Sequence, residues 1–303
     1  MKIRIGYGLG TQTMAGGPGA FARMVDELER LRFDSLWLSE RVTGRAPDPL
    51  VGLAFAAGRT TKLKLGTSVL VLPGRNPALL AKELASLDLL SDGRLLPALG
   101  LGVADPGEQQ AFGVARADRA AWFDEAIGLI RDFWTGAPVT HAGARFAYDG
   151  LAIQPRPAQS PPDIWMGGIA PSELRRIGRL ADGWLPSFIT PDEAAAGRVT
   201  VEQVAAEHGR ALDPEHFGAL VPYTLGSVPD RFVAAIAARR PGLDPAELVP
   251  VGLAAVRALL ERFVDRGFSK FVLIPVGEPD DWTAELEALA SEVLPMQGTA
   301  TFA

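Results

Sequence analysis

The first half of the chain alternates short apolar runs with longer segments in which apolar residues recur every three or four positions. The run IRIGYG is typical of a buried strand, and the segment AFARMVDELERLRF that follows it has the spacing of an amphipathic helix. The apolar face of this helix consists of Phe21, Met24, Val25, Leu28 and Leu31. The pattern therefore predicts a strand followed by a helix.

The same alternation repeats along the rest of the chain. Further units are SLWLS with DPLVGLAFAAGRT, LKLGTSVLVL with PALLAKELASLDLLS, and LLPALGLG with, after a loop, RADRAAWFDEAIGLIRDFW. Later strands are predicted in DIWMGG, GWLPSF, GALVPYTL and KFVLIPV, which makes eight in total. Strands that alternate with helices of this length form parallel sheets with right-handed crossovers. We therefore predict an α/β fold, a (β/α)8 TIM barrel, with an open doubly wound sheet as the competing architecture.

Two segments interrupt the alternation and predict insertions into a single barrel domain that spans residues 1–303. Near 138–155, Gly143 and the pair Asp149-Gly150 stand at turn positions between alternating apolar residues, which predicts a β-hairpin. Near 191–252, a stretch rich in Ala, Arg and Pro predicts extra helices around the seventh strand.

The composition excludes several classes of protein. The chain has no Cys, which excludes disulfides and thiolate sites, and its three His residues do not have a metal-binding spacing, so we predict no metal site. A formal net charge of -6 argues against a nucleic-acid partner. The chain lacks an apolar run long enough to span a membrane and lacks a signal-peptide pattern, so we expect no membrane partner and a cytoplasmic location.

Ligands of such barrels bind at the carboxyl ends of the strands, so the residues that follow each predicted strand are candidates for chemistry. Ser39, Glu40 and Arg41 follow the second strand, where the two charges suit either a structural ion pair or a role in binding and proton transfer. Gly167 and Gly168 follow the fifth strand, and a helix opened by proline comes next. Free amides at a helix N-terminus favour a phosphate, although a simple turn explains these glycines equally well.

Three segments together resemble the luciferase-like flavin and deazaflavin oxidoreductases, whose founding member is bacterial luciferase. They are FDSLWLSER, LKLGTSVLVLPGRNPALLAKELASLDLLSDGRLLPALGLG and PPDIWMGGIAPSELRRIGRLADGWLPS. The match runs from the first strand to about Phe188 and, more loosely, over the last strand and helix. The resemblance, in particular to the F420-dependent branch, implies a TIM barrel, a flavin-type ring in its mouth, and an insertion near the seventh strand that covers the site.

The resemblance also implies which residues bind the cofactor. GTSVL matches a stretch in which relatives have a nonproline cis peptide bond pressed against the ring; here that bond lies between Ser68 and Val69, next to Thr67. Ser39 and Glu40 match a Ser-Asp pair whose carboxylate meets the ring edge of deazaflavin. Backbone amides bind the cofactor phosphate at the positions matched by Gly167, Gly168, Ile169 and Ala170.

Two departures from the family pattern concern catalysis. Arg41 stands where the sugar-phosphate dehydrogenase of the family has its catalytic His. Val103 stands in place of a catalytic acid after the fourth strand, with Asp105 and Glu108 as the nearest carboxylates. These departures exclude that dehydrogenase's mechanism in its known form. Glu40 and Arg41 are the candidate catalytic residues, with Glu40 or water as the source of a proton.

We therefore expect an F420-dependent oxidoreductase that transfers a hydride between C5 of the deazaflavin and a small organic substrate. The Ala-, Arg-, Gly- and Pro-rich composition resembles that of actinobacterial members that use coenzyme F420. An FMN-dependent luciferase-like monooxygenase that uses reduced flavin and O2 is one alternative, and a non-catalytic cofactor-binding protein is another. A homodimer is possible, because LVGLAFAAG and LLAKELASLDLL are apolar enough for it, although burial against the barrel explains them equally well.

Some residues lie outside this assignment. Trp37 and Trp165 are expected in the core, whereas Trp184 is equally compatible with the core and with ligand stacking. Lys270, near the start of the eighth strand, is expected at the rim opposite the ligand, which argues against an aldolase or isomerase. The segment GTQTMAGGPG and the region after Pro191 are expected to form the substrate pocket.

Overall fold

The computed structural model describes residues 1–11 and 17–299, so half of the segment GTQTMAGGPG, residues 12–16, lies outside the described residues. The strands are β1 (Lys2–Leu9), β2 (Ser35–Leu38), β3 (Lys64–Thr67), β4 (Leu70–Val71), β5 (Leu95–Leu96), β6 (Ala98–Gly100), β7 (Val139–Ala142), β8 (Ala147–Leu151), β9 (Trp165–Met166), β10 (Gly183–Trp184), β11 (Gly218–Tyr223), β12 (Lys270–Pro275) and β13 (Gly298–Thr299). The α-helices are α1 (Pro18–Leu31), α2 (Pro49–Ala57), α3 (Pro77–Leu90), α4 (Pro106–Phe112), α5 (Arg119–Trp134), α6 (Pro171–Leu180), α7 (Pro191–Glu207), α8 (Asp230–Arg239), α9 (Leu253–Asp265) and α10 (Trp282–Val293).

The parallel strands close into a barrel. Strand β1 pairs with β2, β2 with β3, and β3 with β5. The next pairs are β4 with β6, β6 with β9, and β9 with β10. A bridge between Trp184 and Phe217 joins β10 to β11, and the pairs β11–β12 and β12–β1 complete the ring. Since β3 with β4 and β5 with β6 each form one barrel strand, the predicted eight-stranded TIM barrel is confirmed.

Two of the barrel strands are interrupted side by side. The peptide bond between Ser68 and Val69 is cis and separates β3 from β4, at the position the family resemblance implied. Pro97 separates β5 from β6, because a proline has no N–H to donate to the ladder. Thr67 Oγ1 donates to the Ala98 carbonyl at 2.7 Å and accepts the Ala98 N–H at 2.8 Å. This buried hydroxyl therefore ties the two interruptions together.

Two tryptophan side chains fill the inside of the barrel. Trp37 is 0% exposed and Trp165 is 2% exposed, as expected for core residues. They pack with further interior side chains, namely Ala98, Leu185 and Val272. A Cβ at Gly66 would lie 2.2 Å from Trp37 Cε3, and a Cβ at Gly183 would lie 2.4 Å from Trp165 Cδ2. Glycine at these two positions makes room for the indole rings.

A buried ion pair lies at the amino-terminal rim of the barrel. Lys270, the first residue of β12, is 3% exposed, and its Nζ donates to Asp34 Oδ2 at 3.1 Å. Lys64 Nζ lies 3.3 Å from the other oxygen of Asp34. Burial lowers the pKa of Lys270 to about 8, although the charge of Asp34 opposes the shift. Lys270 therefore stands at the rim opposite the candidate site, as expected.

The structure adds elements outside the barrel. Strands β7 and β8 form a hairpin within 138–155, which Glu125 of α5 holds by accepting the N–H groups of Arg145 and Phe146. Helix α8 lies between β11 and α9, inside 191–252. Helix α4 forms where a loop was expected, because Asp105 Oδ1 caps its first turn by accepting from the N–H of Gly107 at 2.9 Å.

The described residues form neither a membrane-spanning helix nor a metal-binding cluster. None of the helices formed by residues 1–11 and 17–299 has the length and apolarity needed to cross a membrane. Within the same ranges, His, Asp and Glu side chains do not gather in a group of three or more that could hold a metal ion.

Candidate cofactor site

The barrel brings the predicted site residues to its carboxyl-terminal rim. Ser39 to Arg41 follow β2, Ser68 and Val69 lie between β3 and β4, and the turn 167–170 connects β9 to α6. Because parallel strands all end at this rim, residues from distant parts of the sequence surround one opening. The structure therefore places the predicted residues around a common site.

The residues that follow β2 form hydrogen bonds with Ser68 and Val69, where the third barrel strand is interrupted. Ser39 Oγ donates to the Ser68 carbonyl at 2.8 Å and lies 3.0 Å from Ser68 Oγ. The Glu40 N–H donates to the Val69 carbonyl at 3.1 Å, and the Ser68 N–H donates to the Leu38 carbonyl at 2.8 Å. The backbone on both sides of the cis peptide bond is thus fixed by its neighbour in the barrel.

Glycines surround the Val69 side chain at the mouth. A Cβ at Gly100 would lie 2.4 Å from Val69 Cγ2, and a Cβ at Gly167 would lie 3.4 Å from Val69 Cγ1. Glycine at 100 is therefore needed for the valine to fit between the strands. The rim beside β4 is consequently lined by backbone and small side chains, which is a surface that a planar ring can approach closely.

The Glu40 carboxylate has two protein partners. Its Oε2 accepts the Val71 N–H at 2.7 Å, and its Oε1 accepts from the Arg75 guanidinium. Burial raises the pKa of Glu40, whereas Arg75 and Val71 lower it; burial has the larger effect, so the pKa lies above its ordinary value. Sequence reasoning missed Arg75, although its position in LPGRN, just beyond the third strand, was the available signal.

Arg41 lies against the two carboxylates that follow the fourth strand. Its Nη2 donates to Asp105 Oδ2 at 3.2 Å, and its Nε is 3.8 Å from Glu108 Oε1. Glu108 is 2% exposed and accepts the N–H groups of Val42 at 3.0 Å and Thr43 at 2.9 Å. Burial raises the pKa of Glu108, but these hydrogen bonds and Arg41 outweigh it and lower the pKa. The pairing anchors the loop after β2 to α4.

The turn that is predicted to bind a phosphate binds the carboxylate of Glu173 in this structure. The N–H groups of Ile169 and Ala170 donate to Glu173 Oε2 at 3.0 and 2.9 Å. Gly168 has a φ of +107°, and a Cβ there would lie 2.7 Å from the Glu173 carboxylate carbon, so glycine is required. Sequence reasoning missed Glu173, although an acidic residue in the first turn of a helix is a known capping signal.

Trp184 is hydrogen-bonded to the turn at 168–170. Its side chain is 0% exposed, and its Nε1 donates to the Gly168 carbonyl at 2.9 Å. The residue that the sequence left open is therefore a core residue that positions a site residue. Near it, a cavity of about 200 Å³ lies between α6 and α7.

A flavin-type cofactor needs room for a planar ring and donors for a phosphate. Half-buried Val69 lies at the rim between two residues without side chains, Gly100 and Gly167, and the turn at 168–170 already binds a carboxylate through backbone N–H groups. Two such amides suit a phosphate, provided that Glu173 gives up its place. The residues present therefore fit a planar cofactor that carries a phosphate.

Comparison with known proteins relates the chain to a group of redox enzymes. It is 33% identical over 227 residues to the F420-dependent glucose-6-phosphate dehydrogenase of Nakamurella multipartita. The aligned region covers 70% of this chain and 64% of that protein. The chain therefore spans somewhat less than two thirds of the length of this curated relative.

Solved structures share the whole fold at low sequence identity. The coenzyme F420 dependent tetrahydromethanopterin reductase from Methanopyrus kandleri superposes with a TM-score of 0.79 at 20% identity, covering 98% of this chain and 100% of that one. The oxygenating constituent of 3,6-diketocamphane monooxygenase from Pseudomonas putida, solved with FMN, gives 0.79 at 18% identity, covering 97% and 99%. The model of the luciferase-like monooxygenase family matches residues 2–292, and the chain therefore belongs to that family.

Proposed function

We propose that this protein is an F420-dependent oxidoreductase that transfers a hydride between the deazaflavin and a small organic substrate. The observation that carries the proposal is the glycine-lined rim around Val69, next to a turn whose amides bind an anion. The F420-dependent activity in the name of the Nakamurella multipartita relative supports the choice of cofactor. When bound, coenzyme F420 supplies the group that donates or accepts hydride. A soluble enzyme of this kind acts in the cytoplasm.

Named residues of this chain would hold the cofactor. The backbone of Ser68 and Val69 faces the opening, with Ser39 fixing it by a hydrogen bond to the Ser68 carbonyl. The amides of Ile169 and Ala170 are the donors for a phosphate. Arg41, balanced by Asp105 and Glu108, lies at the rim where a substrate enters and would orient an electron-rich group.

Two other functions have specific support. The FMN in the Pseudomonas putida structure favours a monooxygenase that uses reduced flavin and O2. A non-catalytic cofactor-binding protein is favoured by the pairing of the three candidate acids, since Asp105 and Glu108 lie against Arg41 and Glu40 is paired with Arg75. Both alternatives keep the cofactor site and change only its chemistry.

A titration with both cofactors separates these functions. We expect oxidised and reduced F420 to bind with micromolar affinity, followed by cofactor absorbance and Trp fluorescence, and FMN to bind at least tenfold more weakly. Reduced F420 is then expected to be oxidised by some acceptor in a panel of activated alkenes, imines and carbonyl compounds. Preference for FMN with O2 consumption would indicate the monooxygenase, and tight binding without turnover would indicate the binding protein. Binding of neither cofactor would contradict all three.

We also propose that the protein forms a homodimer through α2 and α3. Helix α2 has no charged side chain, yet Val51 is 69% exposed and Phe55 is 44% exposed. On α3, Leu79 and Leu90 are 65% and 81% exposed. An apolar face of this extent on adjacent helices is normally covered.

Light scattering after size-exclusion chromatography checks this proposal. We expect about twice the 32.2 kDa chain mass for the wild type and the monomer mass for Val51→Glu, because a carboxylate cannot be buried unpaired at an interface. Monomeric wild-type protein at micromolar concentration would contradict the proposal.

A further inference from the structure

Glu40 is held in a way that leaves its carboxylate little freedom. Its side chain is 6% exposed, and each of its two oxygens has a protein donor, Val71 N–H for one and the Arg75 guanidinium for the other. A general acid has to reach a proton acceptor on its substrate within hydrogen-bond distance. The residue that the sequence favours for proton transfer is therefore engaged with the protein itself.

Arg75 completes a closed arrangement around one residue of the third barrel strand. Its Nε donates to the Val71 carbonyl at 3.0 Å, and its Nη2 donates to Glu40 Oε1. The N–H of Val71 donates to Glu40 Oε2 at 2.7 Å. One ion pair thus binds both backbone polar groups of Val71, a residue that also pairs with Gly100 in the barrel.

Hydrogen bonds from the end of β2 fix the neighbouring residues of the third barrel strand in the same way. The Glu40 N–H binds the Val69 carbonyl at 3.1 Å, and Ser39 binds the Ser68 carbonyl at 2.8 Å. The backbone carbonyls of 68, 69 and 71 are therefore each fixed by a donor from 39, 40 or 75. Fixed backbone groups next to a ring hold it in one orientation at no cost in reorganisation.

We infer that Glu40 and Arg75 form a positioning pair that fixes residues 68–71 as the backing surface of the cofactor ring, and that Glu40 is not the proton donor. This inference rests on the proposed function, because it assumes that a ring binds at this rim. The inference also makes Arg75 as important for cofactor binding as Glu40. Arg75 is not among the site residues predicted from the sequence. The proton then comes from water or from the substrate.

A double-mutant cycle with Glu40→Gln and Arg75→Met tests the inference. Each single variant is expected to weaken cofactor binding at least tenfold and to leave kcat at saturating cofactor within about threefold. The double variant is expected to bind no more weakly than the worse single variant, because residues that act as a unit are not additive. The pH profile of kcat is expected to stay unchanged in Arg75→Met.

A proton donor would behave differently in the same cycle. Glu40→Gln would then lower kcat at least a hundredfold with unchanged cofactor affinity. Arg75→Met would keep most of the activity but move a limb of the kcat profile to higher pH, because the pKa of Glu40 rises when the guanidinium is lost. Either result would overturn the inference.

Hydrogen exchange of the Val71 amide gives a readout that needs no cofactor. We expect exchange to accelerate at least tenfold in Glu40→Gln and in Arg75→Met, and to stay unchanged in Asp26→Asn, which breaks a surface ion pair with Arg59. Unchanged exchange in the first two variants would refute the grip on Val71. If exchange accelerates but wild-type protein binds neither F420 nor FMN, Glu40 and Arg75 do fix the backbone of Val71, and the proposed function is wrong.

Discussion

Trp184→Ala is expected to lose about 3–5 kcal/mol of unfolding free energy, the usual loss for removing a buried large aromatic side chain. The ring is 0% exposed and lies edge-on to Phe217, with centroids 6.5 Å apart. Helix α7 packs directly on it, since a Cβ at Gly197 would lie 2.4 Å from its Cη2 atom. The surrounding backbone cannot collapse into the space that the indole leaves. Urea denaturation followed by circular dichroism measures the loss.

The same variant separates packing from positioning. Trp184→Phe keeps a ring between Gly197 and Phe217 but removes the donor to the Gly168 carbonyl, so we expect a loss of stability less than half that of Trp184→Ala. Both variants are expected to weaken binding of the phosphate-bearing cofactor, because the turn at 168 loses its support. Unchanged cofactor affinity in both would show that Trp184 is only a core residue, and equal losses of stability would show that ring volume is unimportant.

The fold could be predicted because the periodicity of apolar residues along the chain identifies its strands and helices. Apolar runs with strand propensity and amphipathic helices repeat along the chain, and parallel pairing of that pattern closes in few ways. Helix α4 was missed because seven residues are too few for a helical period to show. Strands β9 and β10 are two residues long, and only their regular place in the alternation made them recognisable.

The candidate site could be predicted only where a local stretch of sequence defines it. The glycines at 167 and 168 and the residues around Ser68 are recognisable in the chain itself and in its resemblance to a family. The partners of those residues are not, because they meet through the barrel: Glu40 and Arg75 are 35 positions apart, and Arg41 and Asp105 are 64 apart. Trp184 followed the same rule, since a tryptophan at a strand end has one sequence pattern whether it packs inward or faces a ligand.

Asp34→Asn is expected to lose about 3–5 kcal/mol of unfolding free energy at pH 6, because it leaves the Lys270 ammonium buried without its partner. The side chain of Lys270 is 4% exposed and that of Asp34 is 14% exposed, so water cannot replace the lost carboxylate. Burial raises the pKa of Asp34, but Lys270 and Lys64 outweigh it and keep the carboxylate ionised at pH 6. Urea denaturation at a series of pH values measures the loss.

The pH dependence identifies the group responsible. Folded wild-type protein has Lys270 with a pKa of about 8, and an unfolded lysine has a pKa of about 10.4, so the unfolded state binds more protons between these values and stability rises with pH there. In Asp34→Asn the folded pKa of Lys270 falls further, so the deficit relative to wild type is expected to shrink as pH rises from 6 to 8.

Lys270→Met is the matched control, because it removes the buried charge and keeps most of the apolar stem. Asp34 retains Lys64 at 3.3 Å, so this variant is expected to lose less stability at pH 6 than Asp34→Asn, and to lack the rise in stability above pH 8. A deficit of Asp34→Asn that is the same at pH 6 and pH 8 would show that Lys270 does not carry the buried charge. A larger loss in Lys270→Met than in Asp34→Asn would instead identify the carboxylate as the group that cannot be left unpaired.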